Sequence, residues 1–161
     1  MLSPKVKLCE ALPVNDGHSM PGIAIDSQGY LHVISGSHNA NFYYMKSVSP
    51  YDISSWSTPV KLLNKGYSDN EITEVGRQSY VSLICDANDT LHLVFREVRK
   101  NVDFYFSREM PFYSLSYLRK TNNCNWENRS KELVISPIAC YYSIYYHQLS
   151  IDRRGRLFLT Y

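Results

Sequence analysis

Three stretches of the chain share one pattern: GIAIDSQGYLHVIS (22–35), SLICDANDTLHLVF (82–95) and LSIDRRGRLFLTY (149–161). Each is a β-rich run, an aspartate, a short polar turn and a leucine that opens a second β-rich run. The aspartates are Asp26, Asp86 and Asp152 and the leucines Leu31, Leu91 and Leu157, so the spacing between units is 60 and then 66 residues. Self-similarity at such a period indicates stacked supersecondary units rather than one irregular fold.

Each unit opens with a hairpin, its turn chemistry supplied by Asp with Gly, or by Asn88-Asp89 in the second unit. Two further strands follow in the first two units. FYYMKS (42–47) and VKLL (60–63) flank Trp56 in the first, and SLSYLRK (114–120) and ELVIS (132–136) flank Trp126 in the second. Four antiparallel strands per unit, with hardly any helical periodicity, is the organisation of a β-propeller blade. The expected fold is all-β, a partial β-propeller of about two and a half four-stranded blades. Residues 1–12 read as the last strand of a preceding blade, because Lys5-Val-Lys-Leu8 resembles Val60-Lys-Leu-Leu63. Residues 13–66 and 67–138 read as two blades, and 139–161 as the inner hairpin of a third. A propeller closes with about four to eight blades, so the chain is expected to be a fragment of a larger protein or a truncated reading frame. The rival is a small β-sandwich, whose strands would not repeat at this spacing.

Composition narrows the function classes. The chain has 161 residues and a net charge of +2 from 17 basic and 15 acidic side chains, dispersed along its length. That leaves no electrostatic footprint for nucleic acid or an anionic membrane. Apolar runs are strand-sized, well short of the roughly 20 residues of a membrane span. No signal-type apolar stretch is present near the N-terminus. Cys9, Cys85, Cys124 and Cys140 are scattered without metal-ligand spacing and read as buried thiols, though Cys124 and Cys140 could pair if the fold allows. Asn88-Asp-Thr90 and Asn128-Arg-Ser130 match the glycosylation acceptor pattern, relevant only in a eukaryotic secretory pathway. No cofactor is evident, and any structural zinc or calcium is left to further blades.

The hairpin geometry gathers the polar candidates. Strand one crosses the sheet and strand two returns, so the start of one and the end of the other share a face. His18 precedes the first strand of unit one and His38 follows its second. Six residues before Asp86 and Asp152 stand Tyr80 and Tyr146, the latter beside His147, and Arg96 closes strand two of the second unit. These six residues are expected on one rim near the axis, with the Asp turns on the opposite, structural face. Singly, each is more often a satisfied rim residue, and Arg96 has Glu97 and Glu109 as ordinary partners; convergence from independent repeats is what points to a polar ligand site. His32 and His92, inside the second strands, read as packing residues.

DGHSMPGIAIDSQGYLHVISGSHN (16–39), YVSLICDANDTLHLVFRE (80–97) and YYHQLSIDRRGRLFLTY (145–161) together resemble the BNR-repeat-containing family of seven-bladed propellers, which includes ulvan lyases and related polysaccharide lyases. The resemblance runs over nearly the whole chain. It implies a cleft lined by His18, His38, Tyr80 and Arg96, a uronate-containing polysaccharide as partner, and an extracellular or periplasmic location. In β-elimination at a uronic acid, Arg96 would neutralise the carboxylate, and Tyr80, as base and acid, would move protons with His38. His18, Tyr146 and His147 would bind or orient the sugar. The sialidase Asp-box, Ser-x-Asp-x-Gly-x-Thr-Trp, is absent, and neither the arginine triad nor the nucleophilic tyrosine of sialidases can be assembled. The alternatives are a glycan-binding or glycoside-hydrolysing propeller, the latter lacking the paired carboxylates about 5 to 10 Å apart that hydrolysis uses, and a protein-interaction propeller.

Overall fold

A computed structural model of the chain describes residues 6, 8, 19–35, 38–62, 78–103, 108–127, 131–135, 144 and 146–161. These residues form strands β1 (Gly22–Ile25), β2 (Leu31–Ser35), β3 (His38–Ala40), β4 (Phe42–Lys46), β5 (Val60–Leu62), β6 (Gln78–Cys85), β7 (Leu91–Asp103), β8 (Arg108–Lys120), β9 (Lys131–Ile135), β10 (Gln148–Ile151) and β11 (Leu157–Thr160). Among the described residues no helix is long and apolar enough to cross a membrane. The strands assemble into a four-stranded sheet ordered β1-β2-β4-β5, a five-stranded sheet ordered β3-β6-β7-β8-β9 and the hairpin β10-β11. Every pairing is antiparallel. The architecture is that of a partial β-propeller.

Two features depart from the expected blades. A short strand not foreseen in the sequence, β3, leaves the first unit to pair with the start of β6, His38 lying opposite Ser79. In addition, β7 and β8 are 13 residues each. The second strand of that unit therefore continues well past Arg96, which sits inside the sheet rather than closing it.

The three Asp turns are built alike. Asp26 Oδ1 accepts the N–H groups of Gln28 and Tyr30 at 3.0 and 2.8 Å, Asp86 Oδ1 those of Asn88 and Thr90 at 2.9 and 2.8 Å, and Asp152 Oδ1 those of Arg154 and Arg156, both at 2.9 Å. The residue three beyond each aspartate is left-handed: Gly29 at φ 87°, Asp89 at 58° and Gly155 at 76°. Glycine takes this conformation without a Cβ penalty, and Asp is among the few residues that tolerate it. Asp89 also reaches across to the neighbouring unit, its carboxylate accepting the Ser27 N–H at 2.7 Å and the Ser27 hydroxyl at 2.8 Å.

The other carboxylate oxygen of the first two aspartates holds a buried histidine. Asp26 Oδ2 lies 3.1 Å from His32 Nε2, and Asp86 Oδ2 3.0 Å from His92 Nε2. In each ring Nδ1 is 2.7 Å from a tyrosine hydroxyl, Tyr44 and Tyr117 respectively. A carboxylate can only accept, so Nε2–H donates to it and Nδ1 accepts from the phenol. Burial holds His32 below the ordinary imidazole pKa despite Asp26, keeping it neutral. Burial would raise Asp26, but the Tyr30 N–H, His32 and Lys46 together hold it below the usual carboxylate value. His32 and His92 are thus packing residues, as the sequence suggested, and also polar pillars between turn and third strand. In the third unit Phe158 stands at the histidine position, and Arg156 Nε–H bonds Asp152 Oδ2 instead, at 2.7 Å.

Period-two alternation divides β7 between two cores. Leu91, Leu93 and Phe95 join Leu83 and Leu118 against Ile34, Phe42, Tyr44 and Leu62 of the first sheet. Val94 faces the other way, with Leu115, onto Ile144 and Leu149 of the third unit. Cys85 packs against the first core, and burial pushes its thiol up to about 11. Cys124 is an exposed free thiol, whereas Cys9 and Cys140 lie outside the described residues.

Candidate functional site

Arg96 shares the Val94 face of β7, directed at the third unit. It is 1% exposed, so it lies beneath the expected rim rather than on it. The sheet order brackets it with β6 on one side and β8 on the other. A tyrosine approaches from each: the guanidinium carbon is 4.5 Å from the ring centre of Tyr80 and 4.1 Å from that of Tyr113. Nη1 donates to the Ile144 carbonyl at 3.2 Å. Nε and Nη2, both buried, have no hydrogen-bond partner among the described residues. Those two nitrogens form one edge of the guanidinium, the edge that receives a carboxylate through two parallel bonds.

Tyr80 reaches Arg96 through a backbone irregularity. The register of β6 against β7 runs Gln78↔Glu97 and Ser79↔Arg96, then resumes at Val81↔Phe95, leaving Tyr80 as an extra residue. Its φ is 55°, a left-handed value rarely adopted by an aromatic residue. The bulge reverses the alternation: Gln78 accepts the Phe42 N–H at 2.9 Å and Val81 packs into the same first core. Tyr80 meets Arg96 and stands edge-to-face with Tyr146, ring centres 5.4 Å apart. Bulges commonly re-aim a side chain at a site.

Three of the remaining candidates, His38, Tyr146 and His147, fall around this pair. His38 is placed by its backbone: it pairs with Ser79, and Ser79 pairs with Arg96, so the three occupy one row across β3, β6 and β7. Tyr146 is 69% exposed. His147 turns inward, its Nε2–H donating to the Val94 carbonyl at 3.1 Å, which leaves the lone pair on Nδ1, itself buried and without a partner among the described residues. Burial, reinforced by Arg96 and opposed by that hydrogen bond, keeps its pKa below the ordinary imidazole value. His18 lies outside the described residues. No group of three or more His, Cys, Asp or Glu with metal-binding geometry occurs among the described residues.

Sequence reasoning missed Tyr113 and the Ile144 carbonyl. The first had a signal, since Tyr113, Leu115 and Tyr117 alternate along one strand face; the carbonyl had none, because any residue supplies one.

A family model described as a BNR repeat-containing family member matches residues 4–161. The chain belongs to that family. The BNR-repeat chain is also similar to an ulvan lyase from Nonlabens ulvanivorans, 27% identical over 130 residues, covering 66% of the chain and 25% of the lyase. It thus spans about a quarter of that relative's length.

Proposed function

We propose that this BNR-repeat chain carries part of the uronate-binding and proton-transfer site of a polysaccharide lyase acting on a uronate-containing polymer such as ulvan. The observation that carries the reading is the Nε/Nη2 edge of Arg96, without a hydrogen-bond partner among the described residues, on a buried cation beside Tyr80 and in one backbone row with His38.

β-Elimination asks for three things. The carboxylate must be neutralised so that the proton on its α carbon becomes acidic; that proton must be removed; and the glycosidic oxygen leaving the β carbon must receive one. Arg96 meets the first need with a permanently charged, planar donor pair. Tyr80 takes the α proton as phenolate, a form that a facing guanidinium favours. The electron pair of the broken C–H bond forms the new double bond as the C–O bond breaks, and Tyr80 returns a proton to the leaving oxygen, with His38 sharing the transfer. His18 orients the sugar, and Tyr146 and His147 contact it.

The near-complete burial of Arg96 favours a second reading, a glycan-binding propeller in which this cation is internal scaffolding. For a carboxylate to reach Nε and Nη2, a group covering them must move. Incubation with ulvan or a comparable uronate polymer separates the two. New ultraviolet absorbance from unsaturated uronyl ends, abolished in Arg96→Met, supports the lyase; retention on the polymer without absorbance supports binding alone. Met keeps the aliphatic stem, so loss of signal reports the guanidinium and not a cavity. No absorbance with any uronate polymer overturns the lyase reading.

A further inference from the structure

We infer that Tyr113 is a positioning residue: its ring fixes the plane of the Arg96 guanidinium so that the Nε/Nη2 edge accepts a planar carboxylate. This rests on the carboxylate reading above. An arginine side chain is long and rotatable, and a guanidinium free to turn presents no defined edge. Here three contacts remove that freedom. Tyr113 on β8 stands 4.1 Å from the guanidinium carbon, nearer than Tyr80 at 4.5 Å on β6, and the Ile144 carbonyl holds Nη1 at 3.2 Å. Tyr113 is itself buried beside Ser114 and Leu115, so its ring is a fixed wall. It lies opposite Val98, two residues along β7 from Arg96, the diagonal distance at which an aromatic ring reaches across strands. With a ring wall supplied from each flanking strand, a partner for Nε and Nη2 sits in the guanidinium plane, where their N–H bonds point, once the group covering these buried nitrogens moves aside. A carboxylate fits that position with both oxygens; a tetrahedral sulfate places oxygens out of the plane, against the rings.

The Arg96 Nε–H resonance in nitrogen-15 NMR tests this on the chain itself, with Arg96→Lys assigning the signal. In the wild type and in Tyr113→Phe, which keeps the ring, the resonance is sharp and slow to exchange with water. In Tyr113→Leu it broadens and exchanges about tenfold faster or more, the scale expected for loss of a desolvated cation–ring contact, while the backbone amide spectrum stays native. Tyr113→Met, of adaptable shape, replaces the Leu variant if that fails to fold. An unchanged Nε–H in the folded Leu or Met variant overturns the positioning role. Glucuronate is then added, with inorganic sulfate as comparison. A shift of the wild-type Nε–H by glucuronate and not by sulfate, weakened about tenfold in the Leu variant, supports the proposal in full. Equal response to both anions overturns the planar selectivity. No response to glucuronate, alongside released Nε–H in the Leu variant, overturns the carboxylate reading while leaving the ring contact in place.

Discussion

Tyr80 combines two unfavourable choices, an aromatic side chain and a positive φ, at one point of an otherwise regular strand. Left-handed backbone at such a residue costs on the order of 1–3 kcal/mol and persists only where surrounding structure dictates it. The packing of Val81 on one side and the Gln78–Phe42 bond on the other pin the chain on both flanks of the bulge. Two substitutions separate backbone from ring. Tyr80→Gly and Tyr80→Ala both lose the Arg96 contact, but only glycine relieves the backbone, so the Gly variant should be more stable than the Ala variant by about 1 kcal/mol. Urea unfolding of the pair measures this difference; equal midpoints would mean that φ at Tyr80 stores nothing.

At the scale of elements, each of the first two inner hairpins is stapled to the next strand of its sheet, β4 or β8, by a carboxylate, an imidazole and a phenol. The staples differ in burial: Tyr44 is buried, with the Trp126 ring set edge-on at 5.5 Å, whereas Tyr117 is partly exposed and lines an apolar cavity of about 560 Å³ with Leu133, Leu149, Leu157 and Leu159. Removing a phenol hydroxyl leaves Nδ1 of the paired histidine without a donor, and an unsatisfied buried acceptor costs about 1–3 kcal/mol. Tyr44→Phe should therefore destabilise by about that amount, and Tyr117→Phe by less, since water can replace its hydroxyl. Chemical denaturation gives the order; a larger loss for Tyr117→Phe would show that the cavity stays dry. Phe158 marks how local this arrangement is, because one substitution at the histidine position removes the imidazole and the turn survives with Arg156 on its aspartate.

Across the whole molecule the interfaces between units repeat. Ala24, Ile34 and Tyr44 of the first sheet meet Leu83, Leu91 and Leu93 of the second, and their counterparts Ile84, Val94 and Tyr117 belong with Leu149 and Leu159 in the second core. Ile23, which corresponds to Leu83 and Leu149, is 62% exposed, with no preceding sheet against it among the described residues. Because both interfaces bury neutral imidazoles, stability should respond to acid. His32 and His147 have folded pKa values below the ordinary 6.5. Their contribution is complete above that value and is lost as pH falls through it toward the folded values. Asp26, Asp86 and Asp152 also sit below their ordinary 3.8, so a second loss follows at lower pH, as the turns lose their carboxylates. Thermal melts from pH 7.5 down to about 3 should thus fall in two stages. His32→Gln should flatten the first; an unaltered pH slope in that variant would remove His32 from the account.

The hairpins and their assembly into antiparallel blades were legible in the sequence because their causes are local. An aspartate accepting two N–H groups within four residues, a left-handed position three further on and period-two alternation act over a few residues and repeat visibly. The extra strand β3, the burial of Arg96 and the clasp of Tyr80 and Tyr113 were not legible in this way. They depend on the register of strands distant in sequence, and on one bulge that reverses which face Tyr80 presents. Sequence alone determined which segments fold into hairpins around Asp26, Asp86 and Asp152. Tertiary structure decided which side chains meet, since the pairing of β6 and β8 with β7 and the bulge at Tyr80, and not any local preference, place the Arg96 guanidinium between tyrosines from the two strands beside it.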